Sequence, residues 1–338
     1  MTEACALRRC TAATKKDVNR MRKSIEGSNI LVTGGAGFIG SHLVDRLLDK
    51  GAASVVVIDN MFLGKEENLA DAIKRGAILY KEDAEDKEAL SRMIEEHAVD
   101  IVFNLATKAL NYSFIDPCDA FETNVVVIGN LLELQRAGAF STLCHFSSSE
   151  VYGTAVYEPM DEKHPYNPTT TYAGGKAAAD IMLRTYVNMF DLDAFIVRPF
   201  NNYGPRQNAE PPMAAIIPLT AKRIMDGIAP EIHGTGKQSR DFIYVLDTVD
   251  AVIDLFDKME KGQEVNISAN GNTSMEDVIT KISTYMGYEG EIVRKPRRGA
   301  DVDCHNATNA LVKSMIDFKI RSFDEGLAET LDWYKENL

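Results

Sequence analysis

The chain has 338 residues, of which 45% are hydrophobic and 26% charged, and its formal net charge is −13. That length suits one large core or two lobes. The acidic balance excludes a general affinity for nucleic acid or anionic membranes, so an anionic ligand has to be gripped by a few local arginines.

Residues 1–28 precede the first strand signal and carry Arg8, Arg9, Lys15, Lys16, Arg20, Arg22 and Lys23, without the apolar centre of a signal peptide. They read as a mobile or surface-docked extension, set aside from the fold. The stretch 29–40, NILVTGGAGFIG, organises the rest of the chain. Ile30, Leu31 and Val32 predict a buried strand, and the apolar spacing of residues 41–48 predicts a helix. Between them Gly35, Gly37 and Gly40 fit G-x-G-x-x-G, and Gly34, Gly37 and Gly40 fit the related G-x-x-G-x-x-G. A strand turning sharply into a helix favours residues without Cβ, and the helix N-terminus then offers N–H groups to a pyrophosphate. A second strand at 55–58 ends in Asp59, 19 positions after Gly40. A carboxylate there meets ribose hydroxyls and repels a 2′-phosphate, which favours NAD over NADP.

Strand and helix signals go on alternating. A loop at 60–68 leads to a helix near 69–75, a short strand at 77–80, acidic residues 82–86 and a helix at 87–97. A strand at 100–105, a long amphipathic helix at 121–137 and a strand at 143–146 come after it. The strand runs into Ser147-Ser148-Ser149-Glu150, and a helix at 171–190 and a strand at 194–197 come next. Strands spaced by helices imply parallel βαβ units, hence an α/β fold with a doubly wound parallel sheet. After Phe200 the pattern loosens. Residues 201–212 are rich in Asn, Gly and Pro. Beyond them lie a helix near 214–226, a turn at 233–237, strands at 241–245 and 265–268 and a helix at 275–286, and Trp333 lies in a terminal helix. The expected organisation is a Rossmann domain over 29–200, joined by 241–260, and a smaller C-terminal α/β lobe from 201–240 and 261–338.

The five cysteines, Cys5, Cys10, Cys118, Cys144 and Cys304, form no C-x-x-C pair and are odd in number, which fits a reducing, cytoplasmic setting. The histidines show no metal-ligand spacing, so no metal is expected, and His145 reads as a core residue. No apolar run is long enough to span a bilayer. Tyr172 and Lys176 stand i, i+4 on a helix and share one face. An ammonium near a phenol favours the phenolate, which suits tyrosine as a base. The hydroxyls and carboxylate of Ser148, Ser149 and Glu150 fall at a strand end, where a doubly wound sheet lines its ligand crevice.

In order, TGGAGFIG at 33–40, Asp59-Asn60, NLATKA at 104–109, Asn124, SSSEVYG at 147–153, YAGGK at 172–176, RPFNNYGPRQ at 198–207, SRDFIYV at 239–245 and RGADV at 298–302 resemble the extended short-chain dehydrogenase/reductase family of nucleotide-sugar epimerases and dehydratases. The resemblance runs from about residue 28 to the end. It implies Tyr172 as general base at the sugar 4-hydroxyl, Ser148 hydrogen-bonding that hydroxyl, and Lys176 on the nicotinamide ribose. It implies cofactor contacts from Gly34, Gly37, Phe38, Ile39, Gly40, Asp59, Asn60, Asp83, Ala84, Leu105, Ala106 and Thr107. Lys108, Asn201, Arg240 and Arg298 are implied on the substrate, the last three on its diphosphate, where arginine's planar fork suits phosphate oxygens. A homodimer through helices 121–137 and 172–190 is also implied. Three residues depart from the family pattern: Gly175 for a small polar residue, Asn104 for histidine, and Lys108 for a small residue.

Members of such a family share transient oxidation at C4. Return of the hydride to the other face makes an epimerase; loss of the C5 proton and of water from C6 makes a 4,6-dehydratase; a C6 carboxylate allows decarboxylation. Glu150, with Ser149 beside it, favours the 4,6-dehydratase of an NDP-hexose, with 4-epimerase and then decarboxylase as alternatives. A non-catalytic NAD-binding protein is the reading from a different class.

Overall fold

A computed structural model of the chain describes residues 22–297 and 302–338. Its centre is a seven-stranded sheet. The first half runs β1 (Asn29–Thr33), α1 (Phe38–Asp49), β2 (Ser54–Ile58), α2 (Ala70–Lys74), β3 (Ile78–Tyr80), α3 (Lys87–Glu96) and β4 (Ile101–Asn104). The second runs α4 (Pro117–Arg136), β5 (Thr142–Phe146), α5 (Thr171–Phe190) and β6 (Asp193–Pro199). The order across the sheet is β11-β6-β5-β4-β1-β2-β3, where β11 is Glu264–Ile267, and every neighbouring pair is parallel. The order in which strands are added reverses between β1 and β4, so the crevice for a ligand opens above their carboxyl ends.

The strands read as continuous apolar runs because both faces are covered. Alternate residues feed the two layers. Ile30, Val32, Val55, Val57 and Phe103 point to one core, which also contains Val249, Val252 and Val312. Leu31, Val56, Ile58 and Val102 point to the other, with Val127, Leu131 and Leu183. Each such fully buried side chain contributes ~1.5–3 kcal/mol, so a one-residue slip of any strand would forfeit several of them at once.

Helix starts follow local chemistry. The Asp86 carboxylate accepts from the Glu88 and Ala89 amides and caps α3. Asp116 caps α4, with Pro117 in its first turn, so this helix begins four residues before the expected 121. The Asp-Pro pair is the stop-and-start signal that apolar spacing alone passes over. Thr170 caps α5 through the Ala173 amide.

From residue 201 a second set of elements forms: β7 (Asn201–Tyr203), α6 (Ile216–Met225), β8 (Glu231–His233), β9 (Ser239–Arg240), β10 (Phe242–Tyr244) and α7 (Val245–Leu255). After β11 come β12 (Thr273–Ser274), α8 (Met275–Tyr285), β13 (Val293–Lys295), β14 (Cys304–His305), α9 (Ala310–Met315) and α10 (Phe323–Asn337). Tyr203, Ile217, Phe242, Val278, Leu331 and Tyr334 share a separate small core, with Trp333 packed against it.

Two expected boundaries shift. The strand Glu264–Ile267 pairs with β6 and completes the large sheet, and Val312 of α9 lies in its core. The segment after 261 therefore belongs partly to the sheet, because its apolar strand finds its parallel partner there rather than in the lobe. The end of the extension, residues 22–28, also packs on the fold. Ile25 is buried, and the Arg22 guanidinium pairs with Asp193 at 2.6 Å and lies over the Phe195 and Phe256 rings. Residues 1–21 lie outside the described residues.

Candidate active site

The carboxyl ends of β1, β2, β4 and β5 open into a cleft of about 610 Å³ that the small lobe closes from the far side. The glycine turn forms its floor. A Cβ on Gly34 would stand 2.9 Å from the Ala106 amide nitrogen, and one on Gly40 would stand 2.3 Å from the Gly34 carbonyl oxygen. The turn is thus as tight as backbone permits. Gly37 is the N-cap of α1 and offers no side-chain cap, so the first turn, with Phe38, Ile39 and Gly40 on the cleft, presents its N–H groups to a ligand.

Asp59 directly follows β2 and is buried, its carboxylate accepting from the Ala36 and Met61 amides at 2.9 Å each. Burial raises its pKa, against those backbone hydrogen bonds. Asn60 donates to Asp83 at 2.8 Å, and Asp83 and Ala84 border the cleft beside it. Leu105, Ala106 and Thr107 line the opposite wall. The first two give their amides to the Thr33 hydroxyl, and Thr107 donates to Asn124 at 2.9 Å. An open helix N-terminus, a carboxylate at the second strand end and a glycine cradle that a Cβ would fill together fit a dinucleotide.

Ser148, Ser149, Glu150, Tyr172 and Lys176 all reach the same cleft. Ser148 opens a short 3-10 turn after β5, and its hydroxyl accepts from the Glu150 amide. Ser149 is buried, while Ser148, Glu150 and Tyr172 are half-buried. Lys176 is buried and donates to the Phe146 carbonyl at 2.9 Å. The expectation that this lysine lowers the tyrosine pKa is not met. Burial pushes the Tyr172 phenol up to about 12, Ser148 opposes that through a hydrogen bond, and the Glu150 and Asp180 charges add to it. Burial also presses Lys176 down to about 8, against the favourable charge of Asp180.

Toward the small lobe, Asn201 and Arg240 line the cleft. The Asn201 amide donates to the Asp241 carbonyl at 3.4 Å, and Arg240 donates to the Val302 carbonyl at 2.8 Å. Arg298 lies outside the described residues. Lys108 also lines the cleft; it pairs with Asp119 at 3.4 Å and lies over the Phe62 ring. The other two departures from the family pattern have local causes. A Cβ at Gly175 would stand 2.6 Å from the Phe121 carbonyl oxygen, so the close approach of α4 and α5 requires glycine. Asn104, in place of histidine, donates to His145 at 3.0 Å, and both are buried.

Sequence reasoning missed Arg206, Arg223, Glu231, His233 and Gln238, all on the cleft wall. Arg206 stands in the stretch 198–207, with φ +67 and its guanidinium on Asp45 at 2.8 Å. Arg223 and Glu231 pair at 2.8 Å across α6 and β8; nothing in their spacing announces a site, because separate elements bring them there.

The NAD-dependent epimerase/dehydratase family model matches residues 30–268. The chain is 33% identical to the UDP-glucose 4-epimerase of Mycolicibacterium smegmatis over 90% of this chain and 98% of that protein. It is 31% identical to the dTDP-glucose 4,6-dehydratase of Mycobacterium tuberculosis, over 91% and 93%. Its fold superposes with a TM-score of 0.86 on DesIV, the dTDP-glucose 4,6-dehydratase of Streptomyces venezuelae, determined with NAD bound, at 28% identity over 91% of this chain and 97% of that one. The chain belongs to the NAD-dependent epimerase/dehydratase family, and NAD is its cofactor.

Proposed function

We propose that this family member is an NDP-hexose 4,6-dehydratase, acting on a UDP-N-acetylhexosamine-like nucleotide sugar through transient oxidation at C4. One observation carries the reading. The Glu150 carboxylate lines the same cleft as Tyr172, close enough to raise the Tyr172 pKa. A second acid–base group next to the tyrosine has a task in dehydration and none in simple epimerisation.

Gly34, Gly37, Phe38, Ile39 and Gly40 would hold the pyrophosphate, Asp59 and Asn60 the adenosine ribose, and Asp83 and Ala84 the adenine edge. Leu105, Ala106, Thr107, Tyr172 and Lys176 would border the nicotinamide half. When bound, NAD supplies a hydride acceptor for C4. Tyr172 takes the proton of the 4-hydroxyl, with the Ser148 hydroxyl orienting that oxygen. The C4 ketone acidifies the C5 hydrogen, and Glu150 removes it as a general base. The C6 hydroxyl then leaves as water, with the Ser149–Glu150 turn returning the proton, and the hydride taken from C4 would return to C6 as C5 is reprotonated, so that the net change is loss of one water. Asn201, Arg240 and Arg298 would hold the diphosphate, so that an acidic chain meets the negative charge of its substrate with these few groups.

The 4-epimerase reading stands second, favoured by the 33% identity to a UDP-glucose 4-epimerase. Purified protein incubated with UDP-glucose, UDP-N-acetylglucosamine, dTDP-glucose and UDP-glucuronate, with products read by mass, separates the readings. Loss of one water supports the dehydratase. A product of unchanged mass and inverted C4 overturns it in favour of the epimerase, loss of carbon dioxide from a uronate points to the decarboxylase, and absence of any turnover argues for a non-catalytic NAD-binding protein.

A further inference from the structure

Asp180 lies one turn beyond Lys176 and two beyond Tyr172 on α5. Its side chain is fully buried. Oδ2 accepts from the Ser147 hydroxyl at 2.7 Å, the Tyr166 hydroxyl at 2.9 Å and the Arg198 guanidinium at 2.9 Å. Oδ1 stands 3.6 Å from His145 Nε2. Because His145 Nδ1 accepts from the Asn104 amide, and burial holds the ring neutral, its proton sits on Nε2 and faces Asp180. Arg198 is itself fully buried and also bonds Tyr152 at 2.6 Å and Glu264 at 2.6 Å. Three donors thus hold Oδ2 in place, and Arg198 is the charged one, so removing Arg198 would leave a buried carboxylate uncompensated.

The partners form a pattern. Three consecutive residues at the end of β5 meet three residues on one face of α5. The Phe146 carbonyl accepts from Lys176, the Ser147 hydroxyl donates to Asp180, and the Ser148 hydroxyl lines the cleft together with the Tyr172 phenol. The middle rung is the one fixed from behind, by Arg198 of β6. We propose that Asp180 is a positioning residue: it locks the register of the β5 end against α5, and it sets a negative charge beside the Lys176 ammonium, so that Ser148 and Tyr172 meet at the substrate hydroxyl with Lys176 beside them on the nicotinamide side. The proposal deepens the functional reading above and rests on it for what converges there.

Two variants separate the two halves. Asp180→Asn keeps volume and can still accept from Ser147 and Arg198, but removes the charge. Ser147→Ala cuts the strand rung and keeps the charge. The first measurement needs neither cofactor nor substrate: the titration of Lys176, tracked by NMR of labelled lysine side chains. The charged and titratable groups around Lys176 are Asp180 one turn on and Tyr172 one turn back on its own helix and His145 from β5, with Glu150 on the same cleft. With Asp180 neutral, Lys176 loses its proton at lower pH than in the native chain. Ser147→Ala leaves that titration where it is. The second measurement is single-turnover reduction of bound NAD by nucleotide sugar. Both variants slow it about 10–100-fold, the range that misplacing reacting groups produces, with KM little changed.

A folded Asp180→Asn protein whose Lys176 titrates as in the native chain, and whose reduction rate is within about twofold of it, overturns the proposal. Where Asp180→Asn does not fold, a native rate in Ser147→Ala overturns it. Failure of the native chain to reduce NAD with any nucleotide sugar sinks the functional reading instead, and the lysine titration then still decides the charge role of Asp180.

Discussion

Lys176 donates its ammonium to the Phe146 carbonyl, 2.9 Å away, from a position one helical turn beyond Tyr172. The bond holds a charged group in a buried place, and burial presses its pKa from 10.5 to about 8. The folded chain therefore binds fewer protons at this site than the unfolded chain between those two values. Stability is lowered by the buried charge below pH 8 and recovers as pH rises from 8 toward 10.5. Lys176→Met removes the charge. It should lose nucleotide-sugar turnover yet be more stable at pH 7, by on the order of 1 kcal/mol. The gain should shrink toward about pH 10. Urea midpoints of both proteins at the two pH values check this, and a gain that grows with pH would contradict the sign.

Asp59 is the residue expected to set the preference between dinucleotides. Its two oxygens already serve the Ala36 and Met61 amides, which fixes the carboxylate at the rim of the cleft. A 2′-phosphate brought there meets like charge at short range, which costs a few kcal/mol near a protein surface, on the order of 100-fold in affinity. NAD should thus bind far better than NADP, and Asp59→Asn should narrow the ratio by about tenfold or more. Calorimetric titration of both cofactors measures it. Equal affinities in the native chain would remove the role given to Asp59.

Gly40 and Gly175 make parallel but separable predictions. A Cβ at Gly40 meets the Gly34 carbonyl at 2.3 Å and Gly35 Cα at 2.8 Å; one at Gly175 meets the Phe121 carbonyl at 2.6 Å. All are backbone atoms, which yield poorly. Each Gly→Ala change should cost about 1–3 kcal/mol by overpacking. Gly40→Ala should also weaken NAD binding, because it moves the phosphate turn, whereas Gly175→Ala should leave NAD affinity close to native and disturb the α4–α5 pair. Thermal melts with and without NAD distinguish the two.

The outward face of α4 and α5 exposes Val126, Ile181 and Met189, with Ile181 53% and Met189 65% exposed. Apolar side chains clustered on one helix pair call for a cover. The expected cover is the same helix pair of a second copy. Light scattering at micromolar concentration should report a dimer, and Ile181→Asp should dissociate it. A monomeric native chain would contradict the assignment.

The large sheet was legible because each of its strands announces itself locally. Ile30–Val32 and Val55–Ile58 are apolar runs next to glycine or aspartate, and their burial on both faces leaves no polar residue to confuse the period. The candidate residues were nominated by equally local signals, Tyr172 and Lys176 on one helix face and Ser148 and Glu150 at a strand end, and all four line one cleft. Three things were not. The place of Glu264–Ile267 depends on its partner β6, some seventy residues upstream, and not on its own composition. The wall formed by Arg223, Glu231 and His233 exists only after α6 and β8 fold together. The tyrosine pKa was read from spacing, which sees the lysine's charge but neither the burial of the phenol nor the Phe146 carbonyl toward which the ammonium turns.

Glu150 separates the reactions. If it is the base at C5, Glu150→Gln keeps the shape and hydrogen-bonding reach of the side chain and removes the base. Losing a general base typically costs ~10²–10⁴ in rate. Tyr172, Lys176 and Ser148 are untouched, so the variant should still oxidise C4 and reduce bound NAD when nucleotide sugar is added. It should then stall before water leaves, and it should no longer exchange the C5 hydrogen with deuterated solvent. Tyr172→Phe should fail earlier, without any reduction of NAD. The stall is visible as persistent absorbance of the reduced nicotinamide together with a product pool that has lost no water. Normal dehydration by Glu150→Gln would remove the base assignment. A native chain that never exchanges C5 hydrogen would leave the ketone with only one fate, return of the hydride to C4, and Glu150 would then serve the shape of the turn that carries Ser148 rather than the chemistry.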